Sequence, residues 1–417
     1  MTSISEPPGR VGNAFVWAWL PGADEPVVAG RLSRYGEGYR FAYGESYLAR
    51  PDAISLYSPE LPLRPGWIDP PEGLPMAGSL WDGSPDSWGQ RVIIARLTGK
   101  HDTAADEVDL DRLTILLESG SNRVGGLDFQ ARADKYAARM EPATLDELHA
   151  AADALQAGVL RADLATALVD GTSVGGARPK VLIGDGDAQF IAKLSTSTDT
   201  YPVVKAEAAS LELARRVGID VPDSRLTTSL GREVLLVERF DRCGGGRRRM
   251  VVSGLTMLGF GDFLGARYSS YPEMLDVLRS RSTSGAGLAR RVFERIVFNI
   301  VIGNTDDHAR NHAAFWDGTH LDLTPAYDLC PQLRSGTEAN QAMDIDQEGR
   351  RASKFSVCVA AAHVYGLSRA EANDIVEHQV TTVRESWADV RDLARLTQVE
   401  SNALFERQIL NPFAFTP

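Results

Sequence analysis

The sequence predicts an α+β protein of two lobes, with an α/β first half and an all-helical C-terminal lobe. At 417 residues the chain is too long for one simple core. Hairpins alternate with an amphipathic helix between residues 173 and 240, whereas helical periodicity prevails beyond about residue 255. We expect an extra β-rich subdomain over 1–125, an α/β lobe over 126–250 and the helical lobe over 251–417.

The first part of the chain has short strands and then capped helices. The stretches "AFVWAWL", "PVVAGRL" and "YRFAYG" alternate like strands and are separated by glycine turns. Residues 51–85 are rich in proline and glycine and predict an irregular segment. "SPDSWGQRVIIARL" and "DLDRLTILLESG" predict helices, and "TLDELHAAADALQAG" opens with a capping box of Thr144 and Glu147.

The second part predicts two hairpins around a helix and then a helical region. "KVLIGDGDAQFIAKLS" and "RLTTSLGREVLLVERFDR" are the hairpins, with the amphipathic "PVVKAEAASLELARRVGI" between them. "AAFWDGTHLDLTP" predicts a small hairpin within the helical region, and a further helix begins at Ser368. One helical stripe is apolar throughout, and it comprises Leu288, Val292, Phe293, Ile296, Val297, Ile300 and Val301.

Composition excludes several classes of protein. The formal net charge of −12 gives a field that repels nucleic acid and anionic membrane. The three cysteines are scattered and form no CxxC pair, which favours a reducing cytoplasm over a disulfide framework. We read no signal peptide and no run of 18 apolar residues. The basic cluster 247–249 predicts a solvated hairpin tip, with contact to an acidic partner as the alternative.

The stretch "GNTDDHARNHAAFWDG" carries the densest set of polar groups and follows the apolar helix. Asp306 and Asn311 are five residues apart, and Asp328 comes seventeen residues later, after the small hairpin. Protein kinases use an aspartate near the acceptor hydroxyl, then an asparagine and a second aspartate for the metal. Mg²⁺ keeps several waters and needs only one or two such oxygen ligands from the protein.

Two other interpretations of this stretch are open. His308 and His312 have the spacing of zinc ligands on a helix, but "HARNH" lacks the glutamate of a zinc hydrolase motif. The stretch is also compatible with a plain polar loop that caps a core helix.

A glycine loop and a strand lysine precede this stretch. "GTSVGGARPK" lacks the Walker A pattern, yet its glycines let backbone N–H groups approach phosphate, or else it is a simple turn. Lys193 lies in the apolar strand "QFIAKLS" and needs an anionic partner if it is buried. The next helix offers Glu207, as in the lysine–glutamate pair of kinases, although either residue alone also fits the surface.

The strand "LLVERFDR" follows the lysine strand along the chain. Glu238 and Phe240 lie at its end, where we expect the chain to pass between the lobes. A backbone edge there suits an adenine base, and core packing is the alternative for Phe240. Glycine loop, strand lysine, inter-lobe strand and the aspartate motif occur in the order that a two-lobed, protein-kinase-like fold requires.

These motifs resemble the HipA family of bacterial serine/threonine kinases, the toxins of type II toxin–antitoxin pairs. The resemblance rests on "SVGGARPK", "VERFDR", "GNTDDHARN" and "TPAYDL", together with "SPDSWGQRVI" and "GSNRVGGLDF", and it covers nearly the whole chain. It implies a protein kinase that uses ATP and Mg²⁺.

The resemblance also implies roles for individual residues. Asp306 is the expected catalytic base, Asn311 and Asp328 are the expected Mg²⁺ ligands, and Ser173 is the expected autophosphorylation site. The expected nucleotide contacts are Ser173, Val174, Gly175, Gly176, Lys193, Glu238, Phe240, His308 and Tyr327. The family motif commonly has lysine where this chain has Arg310, which keeps the charge but changes its shape.

The resemblance further implies partners. These are a helix-turn-helix antitoxin, contact with DNA only through that antitoxin, and a substrate of the aminoacyl-tRNA synthetase class. We expect no membrane partner. Two alternatives are a kinase-shaped binding module that acts mainly as a co-repressor and a kinase for a small molecule or lipid.

Overall fold

The computed structural model describes residues 12–99, 109–139, 143–160, 168–169, 178–186, 188–261, 265, 268–283, 285, 287–334 and 336–417. Within them, twelve strands form three antiparallel sheets, and twelve α-helices pack around the sheets. The strands are β1 Asn13–Ala18, β2 Val27–Tyr35, β3 Gly38–Tyr43, β4 Trp67–Ile68, β5 Leu127–Gln130, β6 Lys180–Asp185, β7 Ala188–Leu194, β8 Ser224–Ser229, β9 Arg232–Glu238, β10 Met250–Ser253, β11 Ala313–Trp316 and β12 Leu321–Leu323. The helices are α1 Glu45–Leu48, α2 Gly78–Trp81, α3 Ser87–Thr98, α4 Arg112–Glu118, α5 Leu145–Gln156, α6 Val203–Arg216, α7 Gly254–Met257, α8 Tyr271–Arg281, α9 Gly287–Ile302, α10 Phe355–Ala361, α11 Arg369–Leu393 and α12 Gln398–Leu404.

The N-terminal subdomain is built on a five-stranded sheet in the order β4-β3-β2-β1-β5. Its alternating strands put Val16, Leu32 and Phe41 into the core. Strand β5 pairs with β1 although it lies after residue 125, so the sheet extends past the predicted boundary.

The middle lobe contains a four-stranded sheet in the order β6-β7-β9-β8, and helices cover both of its faces. Val181, Ala192 and Leu236 point toward α3 and α5, where they form an outer core. Leu235 and Val237 point toward α6 and join the main core of the protein. Because successive side chains of a strand point to opposite faces of the sheet, alternate residues pack in the outer core and in the main core.

The C-terminal lobe is centred on α9, whose residues from Phe293 to Ile302 are buried on every side except at Glu294. Long helix α11 packs against both α9 and α6, which joins this lobe to the middle lobe. The lobe is not purely helical, because β10 pairs with the predicted hairpin β11–β12 in a small sheet. The predicted α+β, two-lobed fold is confirmed.

Candidate active site

Lys193 lies at the centre of the site, on the face of β7 opposite the outer core. Strand alternation buries Ala192 and Leu194 in that core, so Lys193 projects the other way. Its ammonium donates to the Glu207 carboxylate on α6 and, at 2.7 Å, to Oδ1 of Asp328. One lysine of the middle lobe therefore contacts an acid of its own lobe and an acid of the C-terminal lobe.

Burial and charge have opposite effects on the pKa values of Lys193, Glu207 and Asp328. Burial by itself would lower the pKa of Lys193, but the charges of Asp328 and Glu207 raise that pKa above its ordinary value. The charge of Lys193 lowers the pKa of Asp328 to about 2. For Glu207, burial raises the pKa and the lysine offsets part of the rise. Asp328 is therefore a carboxylate at neutral pH, the form that a metal ion binds.

Asp328 has an unusual backbone conformation. Its φ is 59°, in the left-handed region where aspartate is one of the few non-glycine residues found with any frequency. Asn304 Nδ2, at the end of α9, lies 3.5 Å from the Asp328 carbonyl oxygen. Such conformations are retained in folded proteins where the surroundings impose them, often at functional sites.

The inter-lobe connection places two of the predicted nucleotide residues side by side. Strand β9 ends at Glu238, and the Phe240 ring lies 5.7 Å from the Tyr327 ring. The Tyr327 hydroxyl donates to the carbonyl of Arg310 at 2.8 Å, so this aromatic pair also contacts the aspartate loop. We define the aspartate loop as residues 304–312.

The aspartate loop presents its two neighbouring carboxylates in opposite directions. Asp306 is exposed, whereas Asp307 is only 1% exposed. Partial burial raises the pKa of Asp306, and the nearby charges of Asp328 and Asp307 raise it further against the effect of His308. Asn311 Nδ2 donates to the Asp306 carbonyl at 3.3 Å. Because a raised pKa makes a carboxylate a better proton acceptor, Asp306 suits the role of general base.

The zinc alternative is not supported by this loop. Ala309–Asn311 form a single 3-10 turn, so His308 before it and His312 after it do not share an α-helical face. His312 Nε2 instead lies 2.9 Å from the Asp307 carboxylate. In the described part of the chain, no three His, Cys, Asp or Glu side chains are grouped to hold a metal ion.

The predicted glycine-loop residues Ser173, Val174, Gly175 and Gly176 lie outside the described residues. Their roles in nucleotide binding and autophosphorylation therefore stay predictions.

Sequence reasoning missed a second buried lysine beside the site. Lys180 begins β6 directly across from Lys193, is 5% exposed and lies 3.3 Å from Asp86. Asp86 also caps α3 by accepting the Gly89 N–H at 2.8 Å. The motif "SPDS" indicated the cap, but nothing in it indicated a partner 94 residues away. The strand that follows the glycine loop is thus attached to the N-terminal subdomain.

A buried polar network lies behind the inter-lobe connection. Arg239 is 3% exposed and donates to the carbonyls of Asn122 and Arg123 at 2.9 and 2.6 Å. Asp241 accepts from Arg239 at 2.7 Å and from the Gly125 N–H at 2.7 Å. Arg242 donates to the same backbone and to Asp241. We call Arg239, Asp241, Arg242 and backbone 122–125 the hinge network, in which the motifs "VERFDR" and "GSNRVGG" meet.

The basic cluster 247–249 is only partly a solvated tip. The segment forms a hairpin with an antiparallel bridge from Arg242 to Arg248, and Arg247 is exposed. Arg248, however, lies 3.6 Å from the Trp19 ring centroid and donates to the Ser121 carbonyl at 2.8 Å. The guanidinium group therefore packs against the N-terminal subdomain, which the charge pattern alone did not indicate.

The sequence of the chain matches a known protein family. A family model described as the HipA-like C-terminal domain matches residues 172–387, which is more than half of the chain. The chain belongs to the HipA-like family. It is a serine/threonine kinase of the toxin–antitoxin type, as its relatives indicate.

Two curated relatives of this HipA-like kinase span different parts of it. The putative kinase Y4mE of Sinorhizobium fredii is 25% identical over 401 residues, 90% of each chain. The serine/threonine-protein kinase toxin HipA of Shewanella oneidensis is 26% identical over 216 residues, 45% of this chain and 50% of that protein.

A solved structure has the same fold as the HipA-like kinase. It is HipA of Shewanella oneidensis in a complex with HipB and operator DNA, with a TM-score of 0.64 and 17% identity over 94% of this chain and 96% of that one. Among the described residues of the kinase, no helix is both long and apolar enough to cross a bilayer.

Proposed function

We propose that this HipA-like kinase transfers the γ-phosphate of ATP, with Mg²⁺, to a serine of a translation protein of the aminoacyl-tRNA synthetase class and to its own Ser173. The observation that carries the proposal is the contact of Lys193 with both Glu207 and Asp328. That contact brings the two lobes together beside Asp306, as phosphoryl transfer between lobes requires.

The residues fit an ATP–Mg²⁺ complex by their chemistry. Asn311 and Asp328 offer the hard oxygen atoms that Mg²⁺ prefers, and the ion neutralises phosphate charge when it is bound. Lys193 would give the phosphates a fixed cation. The Nδ1 atom of His308 is buried and, among the described residues, has no hydrogen-bond partner, which leaves it available to a ligand.

These positions support the following transfer step. Asp306 accepts the proton of the acceptor serine hydroxyl, whose oxygen then bonds to the γ-phosphorus. The bond from that phosphorus to the β–γ bridging oxygen breaks, and ADP leaves with the electron pair. Glu207 keeps Lys193 in place, while Phe240 and Tyr327 form an aromatic wall beside Glu238 for the base.

The proposed partner is a helix-turn-helix antitoxin. The related toxin HipA was solved with HipB and operator DNA, and a protein of net charge −12 is poorly suited to bind DNA by itself. Gel-shift assays with operator DNA should give no complex with the kinase alone and a supershifted complex once an antitoxin is added. A shift by the kinase alone would contradict indirect binding.

Peptide mass spectrometry after incubation of the purified kinase with ATP and Mg²⁺ tests the enzymatic proposal. We expect phosphate on Ser173, no phosphate when EDTA removes the metal, and phosphate on a member of an aminoacyl-tRNA synthetase panel. If Ser173 carries phosphate and no synthetase is labelled, the proposed kinase activity is supported and the proposed substrate class is rejected. The absence of all transfer would favour the binding-module alternative.

Replacement of Lys193 by alanine is expected to lower kcat/KM for ATP by roughly 10²- to 10³-fold, the effect of losing one preorganised charged donor. Glu207 and Asp328 would then repel each other and the phosphates. Steady-state kinetics and calorimetric ATP titration measure the loss. Lys205→Ala is the matched control, because Lys205 lies on α6, the helix that carries Glu207, but pairs with Glu400 at 3.1 Å. Equal effects of the two substitutions would reject a specific role for Lys193.

A further inference from the structure

The second aspartate of the "TDDH" motif is the buried one. The Asp307 carboxylate accepts three hydrogen bonds, from the Tyr271 hydroxyl at 2.5 Å, Asn299 Nδ2 at 2.7 Å and His312 Nε2 at 2.9 Å. Tyr271, Asn299 and His312 are at most 4% exposed. The donors come from α8, from α9 and from the far end of the aspartate loop. A buried carboxylate with this many donors is held in one position.

The bond between Asp307 and His312 closes the aspartate loop on itself. Asp307 directly follows Asp306, and His312 directly follows Asn311. The contact therefore sets the separation of the two backbone positions that carry the proposed base and a proposed metal ligand. The intervening residues form the 3-10 turn Ala309–Asn311.

Two further contacts connect this closed loop to rigid elements. Asn299 bonds to Asp307 and also accepts from Asn304 Nδ2 at 2.9 Å, so α9 holds the start of the loop. On the opposite side, Gly254 at the start of α7 donates to the His312 carbonyl at 2.7 Å. A Cβ on Gly254 would lie 2.3 Å from the Ala309 carbonyl oxygen, so only glycine allows α7 to pack this closely.

We propose that Asp307 and His312 are positioning residues that fix the aspartate loop for phosphoryl transfer. This inference rests on the proposed function of Asp306 and Asn311. Neither Asp307 nor His312 is proposed to touch substrate, because both side chains are buried against α8 and α9. Their effect comes through geometry, since a shift of about 1 Å in a reacting group costs on the order of 10²-fold in rate.

The test compares His312→Ala with His312→Gln. Alanine removes the donor to Asp307, whereas the glutamine amide can place an N–H near the position of Nε2. We expect His312→Ala to lower kcat about 10²-fold with a much smaller rise in KM for ATP, because the loop carries Asp306 and Asn311, whereas His308 is its only expected nucleotide contact. His312→Gln should recover most of kcat. Tyr271→Phe, which keeps the ring and removes one donor, should lower kcat by roughly tenfold.

Amide hydrogen exchange of the peptide covering 303–312 gives a second readout that does not depend on activity. We expect faster exchange in His312→Ala and near wild-type protection in His312→Gln. Unchanged protection in His312→Ala, or a rise in KM that matches the fall in kcat/KM, would overturn the inference. If wild-type protein shows no transfer, the proposed function fails, and the exchange comparison still decides whether His312 holds the loop.

Discussion

Asp306→Asn should reduce phosphoryl transfer by roughly 10²- to 10⁴-fold, the contribution of a positioned general base. Asparagine cannot accept the serine proton, although it has nearly the same shape as aspartate. The side chain is exposed, and the described residues give its carboxylate no hydrogen-bond partner, so stability should change by no more than about 0.5 kcal/mol. Incorporation of phosphate into Ser173 and the thermal midpoint measure the two effects.

Asp374→Asn is the control for this substitution, because Asp374 is an exposed aspartate of α11 in the same lobe. It should leave both transfer and stability as in wild type. Transfer by Asp306→Asn at the wild-type rate would remove Asp306 from the role of base. A large fall in its thermal midpoint would instead indicate a structural role.

Asp241→Asn is expected to have the largest effect on stability. The substitution leaves the side chains of Arg239 and Arg242, 1% and 6% exposed, without the carboxylate that they share. Removal of one partner from a buried ion pair typically costs about 3–5 kcal/mol. Urea unfolding followed by tryptophan fluorescence at pH 7 measures the loss. Asp223→Asn is the control, because the Asp223 side chain is 85% exposed and lies in the same lobe.

The difference in stability between wild type and Asp241→Asn should depend on pH, and this dependence tests the role of the Asp241 carboxylate. Burial by itself would raise the pKa of Asp241, but the charges of Arg239 and Arg242 lower it well below its ordinary value. A carboxyl group with a lowered pKa in the folded state stabilises fully above its unfolded pKa of about 4 and loses that contribution as pH falls further. The advantage of wild type over Asp241→Asn should therefore be constant from pH 5 to 7 and shrink below about pH 4. A constant difference down to pH 3 would contradict the assignment of the lowered pKa to Asp241.

The fold was largely accessible from periodicity and turn chemistry. The hairpin around Gly186 and the capping boxes at Thr144 and Ser368 are where the sequence predicted them. These features depend on neighbours a few residues apart, so their physics is local. The antiparallel pairing of β5 with β1 is not local, because it joins residues more than a hundred positions apart. That is why the predicted boundary at residue 125 divides a sheet.

For the candidate site, too, some features follow from the sequence and others only from the tertiary structure. The sequence by itself determined the chemical inventory, namely a strand lysine, a helix glutamate and the spacing from Asp306 to Asn311 and Asp328. It also determined their order along the chain, which is what relates the protein to its family.

Only the tertiary structure decided which of two adjacent aspartates is exposed. Asp306 and Asp307 have the same chemistry, and their difference comes from donors on α8 and α9 that surround Asp307 alone. The structure likewise decided that Lys180 meets Asp86 and that Arg239 and Arg242 share Asp241. The physical reason is the cost of burying a charge, which is met by partners that folding brings from distant parts of the chain.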